Sequence, residues 1–373
     1  MKKLLSLALS LCLALSLCVP AFAENNSLDH FKKTAVYSGQ FKDVSATHWA
    51  TDAVKTCYEY GLMKGGSTGF NPGGTLTVAE ALVMADRVHQ IYTTGESTLQ
   101  NGSPWYQPYV DYALNNAVIF QGDFNSYTRP ITRAEMAYIF YRSLPENAFL
   151  TINYIETVPD VLVSTKYNDE ILALYEAGIL TGSDVYGTFK PNNTITRAEA
   201  AAIISRVAIA STRKSVVLME KWTAWNDDVL FLMPQGAGAF ESEDTSMEAY
   251  MAIQPSAFLI TVLTTDISLE HWGTSITTNI PAAGMDEILK QALTEHIGTV
   301  SDLKTSLVTF GAVKAYRSTA TTTVEGENLN SVVYSFVIGN RLSVMFFASD
   351  NASVLQTVAN GVTVGGSGVS PKL

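Results

Sequence analysis

Apolar residues in the first half of the chain recur at spacings of three and four, the period of a helix with one buried face. Ala53, Val54, Cys57 and Tyr58 share one side of a predicted helix that Gly61 ends. A turn-rich loop, Gly65-Gly66 and Gly69-Phe70-Asn71-Pro72, leads to a second helix carrying Ala81, Leu82, Ala85 and Val88. The order recurs from Trp105 through Tyr109, Val110, Ala113, Leu114 and Ala117 to a helix opening at Thr132. It recurs again from Tyr167 to Ala177, then from Thr196 to Ala208. Polar, irregular stretches at Thr93–Gly102 and Pro145–Glu156 separate the units.

Past Ser211–Lys214 the pattern becomes strand-like. Short β-rich runs lie at Val216–Trp222, Val229–Met233, Phe258–Leu263, Ser306–Thr309, Ala312–Ser318, Ser331–Ile338 and Leu342–Ala348. Met285–Ile297 reads as an amphipathic helix with Ile288, Leu289, Ala292 and Leu293 apolar, and Ser353–Ala359 as a short closing helix. The fold class expected is multidomain: an all-α pseudo-threefold helical bundle, then an α+β domain with a mostly antiparallel sheet.

Each second helix opens with one phrase: Thr77-Val78-Ala79-Glu80, Thr132-Arg133-Ala134-Glu135 and Thr196-Arg197-Ala198-Glu199. Trp49, Trp105 and Tyr167 precede the three glutamates by 31, 30 and 32 positions. A repeat at this spacing sets the architecture before any other assignment. Thr at the N-cap with Glu three residues on is a capping box, so Thr77, Glu80, Thr132, Glu135, Thr196 and Glu199 read as helix caps. Arginine inside the first turn opposes the helix dipole, and Val78 shows that the box does without it. Arg133 and Arg197 therefore need another reason: a surface salt bridge, or an anion held by guanidinium and helix-start N–H groups together.

These residues resemble the S-layer homology repeat, which ties bacterial exoproteins to the cell wall. The resemblance implies a compact bundle of three repeats that binds a secondary cell wall polysaccharide attached to peptidoglycan. It implies that Arg133 and Arg197 hold the carboxylate of a pyruvylated amino sugar. Trp49 and Trp105 either pack or stack on a sugar ring. Asp43 and Asp160, in the family's Phe-x-Asp-Val opening, either cap or accept sugar hydroxyls. Gly65, Gly122 and Gly182 either let backbone approach a ligand or serve turns. No repeat is complete. The first lacks the arginine, the second the aspartate, and the third has tyrosine for tryptophan. Family sites lie between neighbouring repeats, so partial repeats combine into at most two good carboxylate sites.

The chain opens with Lys2 and Lys3, an apolar run Leu4–Val19, then Pro20 and Ala21-Phe22-Ala23, the form of a secretory signal peptide. Cys12 and Cys18 leave with it, so Cys57 remains alone, without a disulfide partner and expected to be buried and inert. Cleavage removes two lysines and takes the formal net charge from −11 to −13, a poor balance for nucleic acid. No later stretch is long and apolar enough to span a bilayer. The divisions expected are a signal peptide over 1–23, an N-terminal linker over 24–40, repeats over 41–95, 96–150 and 151–212, the α+β domain over 213–364 and a flexible tail over 365–373.

The order of elements in the α+β domain resembles the PsbP-type α/β/α sandwich. Its histidines, His271 and His296, fall in no metal-binding spacing, and it has no Gly-x-Ser-x-Gly elbow. Asp227-Asp228 and Glu241–Asp244 read as solvated loops or a weak Ca²⁺ site. Trp222, Trp225 and Trp272 either pack in the core or line a cleft. The expectation is a secreted, wall-anchored surface protein that is not an enzyme and carries no cofactor or metal. Its rival is a secreted hydrolase or ligand sensor whose repeats are degenerate.

Overall fold

The computed structural model describes residues 28–224, 229–240, 247–254, 258–268, 282–324, 326–338 and 341–364. The signal peptide, the tail, His271, Trp225, Trp272 and both acidic clusters lie outside them, as does the side chain of His296. The described residues fall into two compact units that divide after Val216.

The first unit holds three helix pairs: α1 (Thr51–Glu59) with α2 (Val78–Thr94), α3 (Gln107–Asn115) with α4 (Arg133–Arg142), and α5 (Asn168–Glu176) with α6 (Arg197–Ala208). The second helices α2, α4 and α6 meet one another at the centre. Each first helix packs outside, against the second helix of another repeat: α3 on α2, α5 on α4 and α1 on α6. The last pairing closes a ring, so no repeat is terminal. Small residues allow it, since Cys57 of α1 donates its thiol hydrogen to Ala201 O of α6 at 3.3 Å. Burial pushes the Cys57 thiol pKa far up, which makes it inert.

Residues 28–40, expected as linker, are instead the opening of repeat one. Phe31 is buried, and the amides of Thr34 and Ala35 donate to Glu59 O at 2.7 and 3.2 Å. Ile152 and Asn153 do the same to Glu176 O in repeat three. Their polar sequence hid this because the contacts are made by backbone.

In the second unit, strands β1 (Met219–Ala224), β2 (Val229–Pro234) and β10 (Thr363–Val364) form a small sheet ordered β1-β2-β10. The others are β3 (Gly238–Phe240), β4 (Met247–Gln254), β5 (Phe258–Ser268), β6 (Thr299–Phe310), β7 (Val313–Val324), β8 (Glu327–Ile338) and β9 (Arg341–Ser349). They make a seven-stranded sheet ordered β3-β4-β5-β9-β8-β7-β6, antiparallel throughout. Helix α7 (Ala282–His296) lays Met285, Leu289 and Leu293 against Tyr316, Val333 and Phe346 on one face. Ile288, read as part of that apolar stripe, is exposed. Helix α8 (Ala352–Asn360) packs against β2, β8 and β9, and Tyr334 donates to Ala359 O at 3.3 Å. Strand β4 went unread because Met, Ala and Glu favour helix, and pairing with β5 decides otherwise; β3 is three residues long and forms by pairing with β4.

One core group stands apart. Asp86, midway along α2, is fully buried, and neither carboxylate oxygen has a hydrogen-bond partner. Burial pushes its pKa up to about 9. The fold therefore holds a proton at neutral pH that the unfolded chain, with a pKa of about 3.9, releases. This stabilisation is complete below pH ~4 and falls by about 1.4 kcal/mol per unit as pH rises toward 9. Urea unfolding at pH 5.5 and 8 should show wild type losing about 3 kcal/mol more than Asp86→Asn over that interval. Equal losses would mean that Asp86 is ionised in the fold.

Candidate functional site

All three Thr-x-x-Glu boxes are formed in both directions. The hydroxyls of Thr77, Thr132 and Thr196 accept from the amides of Glu80, Glu135 and Glu199, and each glutamate accepts from its threonine amide. The next two amides of each helix donate outside it, to the loop of another repeat. Arg197 and Ala198 donate to Gly74 O and Pro72 O at 2.8 and 2.9 Å. Arg133 and Ala134 donate to Asn193 O and Pro191 O, and Val78 and Ala79 to Arg129 O and Tyr127 O. Leu76, Ile131 and Ile195 precede the caps, are all buried and pair through backbone, Leu76 N to Ile195 O and Ile131 N to Leu76 O.

Each junction sets a guanidinium on a loop phenylalanine. Arg197 lies 5.0 Å over Phe70 and donates through Nε to Phe70 O at 2.8 Å and through Nη2 to Lys64 O at 2.9 Å. Arg133 lies 5.1 Å over Phe189, donates through Nε to Phe189 O at 2.6 Å and pairs with Glu199 at 2.8 Å. The two arginines thus stitch neighbouring repeats together, Arg133 partly through the salt bridge that was one of its two readings and Arg197 through backbone carbonyls. At the third junction Val78 leaves the place empty, and Arg129 of the loop takes it, 5.9 Å over Phe124 and clamped on Glu135 through two bonds of 2.6 and 2.9 Å. Arg197 differs from both: among the described residues it forms no salt bridge and its Nη1 makes no hydrogen bond. Burial lowers its pKa, with Glu80 and Asp43 opposing.

Asp43 and Asp160 face backbone. Asp43 accepts from the amides of Phe70 and Asn71 at 2.9 and 2.6 Å, and Asp160 from those of Phe189 and Lys190 at 2.8 and 2.6 Å. Burial alone would raise the Asp43 pKa, but these amides and Arg197 hold it below the usual carboxylate range. Both aspartates fix the loop that carries the phenylalanine. Gly65 and Gly182 occupy matching places where a side chain would strike Phe41 or the Gly187 backbone. Gly122 lies one position further along its loop, at φ +92° with open space around it.

The aromatic position is not kept in repeat three: the first helices start from Ala50, Tyr106 and Tyr167, so Lys166, and not Tyr167 as the spacing suggested, stands where Trp49 and Trp105 do, because the repeat-three loop is longer. Trp49 is 64% exposed and Trp105 40% exposed, so neither is a core residue. Tyr167 stacks on Tyr138 with ring centroids 4.3 Å apart. The junctions therefore assemble different sets: Asp43 and Phe70 of repeat one with Arg197 of repeat three; Phe124, Arg129 and Glu135 of repeat two with Val78 of repeat one; and Phe189 and Glu199 of repeat three with Arg133 of repeat two.

A further repeated residue escaped the sequence reading. Arg87, Arg142 and Arg206 each follow the cap glutamate by seven positions. They donate to Leu62 O, Ala117 O and Ile179 O, closing the carbonyl ends of α1, α3 and α5. The signal was present as Thr-x-x-Glu followed by a fixed arginine. In the second unit, Trp222 donates to Glu220 at 2.8 Å. Among the described residues no group of three or more His, Cys, Asp or Glu is placed to hold a metal, and no helix is long and apolar enough to cross a membrane.

Comparison with known proteins bears on the first unit. Residues 40–82 and 162–201 match the S-layer homology domain. The chain is 30% identical over 181 residues to the S-layer protein sap of Bacillus anthracis, covering 44% of this chain and 21% of that one. It is 28% identical to the surface-layer 125 kDa protein of Lysinibacillus sphaericus, over 48% of this chain and 16% of that one. It thus spans about a fifth or less of the length of these relatives. A solved structure, cyanobacterial PsbP from Synechocystis sp. PCC 6803, aligns at 12% identity and TM-score 0.32, covering 39% of this chain and 92% of that one. Two stretches of the chain thus match the S-layer homology domain, and the relatives it resembles are surface-layer proteins.

The loop geometry makes a prediction about the aspartates. Asp43→Asn or Asp160→Asn places an amide donor against backbone N–H groups, so each should cost about 1–3 kcal/mol in chemical unfolding with no polymer present. A neutral effect would return these residues to direct ligand contact.

Proposed function

We propose that the chain is a bacterial cell-surface protein held non-covalently to the cell wall, and that the junction of repeats three and one is its principal binding groove. The observation that carries this reading is Arg197. Its guanidinium rests on Phe70 without a salt-bridge partner among the described residues, and repeat one, which supplies Phe70, also carries the exposed Trp49. A planar cation takes a carboxylate through two parallel hydrogen bonds, and an indole face takes the apolar face of a sugar. The ligand class this suits is a pyruvylated amino sugar in a secondary wall polysaccharide. Arg133 and Arg129 are already neutralised by Glu199 and Glu135, which makes their junctions weaker anion sites. The middle repeat acts as a third S-layer homology unit, joined by the same backbone stitches, and the second unit is displayed outward, with no reaction assigned to it. A polymer that repeats its ligand adds avidity to a single groove.

The test is co-sedimentation of the purified protein with cell-wall sacculi, before and after chemical removal of the secondary polymer. Binding should disappear with the polymer. Arg197→Ala and Trp49→Ala should each weaken retention about tenfold or more, the worth of one charge-assisted contact, while Arg133→Ala changes it little. Thermal melts of the same variants separate lost binding from lost fold. Undiminished retention by folded Arg197→Ala and Trp49→Ala would overturn the assignment of the groove.

A further inference from the structure

The three cap glutamates share one contact and differ in the other. In every repeat Oε2 accepts from the cap threonine amide: Glu80 from Thr77 at 2.8 Å, Glu135 from Thr132 at 3.0 Å and Glu199 from Thr196 at 2.9 Å. In two repeats Oε1 accepts from an arginine, Glu135 from Arg129 at 2.6 Å and Glu199 from Arg133 at 2.8 Å. Glu80 Oε1 has no hydrogen bond among the described residues. The ring fixes which arginine is missing. The Arg133 amide donates to Asn193 O, three residues before the cap threonine of repeat three, and Arg133 reaches that repeat's cap glutamate. The Arg197 amide donates to Gly74 O, three residues before the cap threonine of repeat one. Arg197 is therefore to Glu80 what Arg133 is to Glu199, and Glu80 and Asp43 are the acidic groups whose fields reach it. Yet Arg197 spends Nε and Nη2 on Phe70 O and Lys64 O. Where the other junctions close an ion pair on themselves, this one leaves a donor, Arg197 Nη1, and an acceptor, Glu80 Oε1, both open on half-buried residues. Asp43 already accepts two backbone amides with its two oxygens.

We infer that Glu80 is a specificity residue of this groove: its Oε1 accepts a hydrogen bond from a hydroxyl or amide N–H of the same sugar whose carboxylate Arg197 holds. This rests on the reading of the groove as a carboxylate-sugar site. A carboxylate beside a carboxylate-binding cation repels the ligand unless the ligand brings a donor to it. The groove thus selects a carboxylate with a donor beside it over a bare one.

Glu80→Gln is the discriminating variant, because glutamine keeps the capping box through its oxygen and presents an amide donor where Oε1 stood. In calorimetric titration with the methyl glycoside of a pyruvylated N-acetylhexosamine, it should bind about tenfold or more weakly than wild type. If Glu80 only stands near the cation, removing its charge relieves repulsion and tightens binding; that result, or an unchanged affinity, would overturn the inference. Two analogues identify the donor, one with the free hydroxyl methylated and one without the acetamido group. Wild type should bind one of them about tenfold or more weakly than the parent, and Glu80→Gln should bind that one and the parent alike. A wild type indifferent to both also overturns it. A second measurement needs no sugar. The melting-temperature shifts of Arg197→Ala and Glu80→Gln should add in the double variant, whereas those of Arg133→Ala and Glu199→Gln should not. Coupling of the first pair as strong as the second would mean that its ion pair is closed in solution, against the inference. Wild type that binds no sugar takes the anchoring reading and the inference down together; wild type that binds while Glu80→Gln is not weakened takes down the inference alone.

Discussion

The first unit depends on how its inner helices begin. An α-helix starts with four amides that have no partner within it. Here the cap threonine takes one, and the loop of another repeat takes the next two. Each repeat thus supplies the acceptors that a different repeat's helix requires, and the three dependences run in a circle. Side chains reinforce the arrangement without creating it: the buried Leu76, Ile131 and Ile195 where the strands meet, the arginines over the loop phenylalanines, and the aspartates that hold those loops in shape. A surface residue in one repeat is therefore positioned by the backbone of another.

This circularity explains why no single repeat looks complete. The elements of one groove come from two repeats, so a repeat can lose an arginine or an aspartate without either of its grooves losing everything. Repeat one lacks the helix arginine, yet its loop receives Arg197. Repeat two's loop is one residue longer between its phenylalanine and its cap threonine, and that loop supplies Arg129 where Val78 offers no charge. The three junctions keep a common backbone frame and differ in whether their cation is neutralised.

The helix pairs, their caps and the ring of three were legible because each is written in local sequence: apolar spacing, Thr-x-x-Glu and glycine at helix ends. The second unit was legible where β-branched and aromatic residues dominate, as in β8 and β9, and illegible in β4, whose residues favour helix until β5 pairs with them. The site was only half legible. Arg197 and Trp49 could be named, and a salt bridge for Arg133 and a capping role for Asp43 and Asp160 stood among the alternatives, but their partners, Glu199 and the loop amides, and the stacking of Tyr138 on Tyr167 could not be. All are contacts across long separations, where nothing in the local pattern changes.

The contact from Arg197 to Phe70 joins residues 127 positions apart, and the one to Lys64 joins residues 133 apart. Most other contacts of the unit form within a repeat or between consecutive ones. Closing the circle is thus the step of greatest loop entropy and belongs late in folding. A chain emerging N-terminus first carries Trp49 and Asp43 for most of its passage before the arginine that complements them appears. The contact of Arg197 with the first repeat's loop comes into being with the last helix of the unit, so the groove proposed above exists only in a unit that has been made in full.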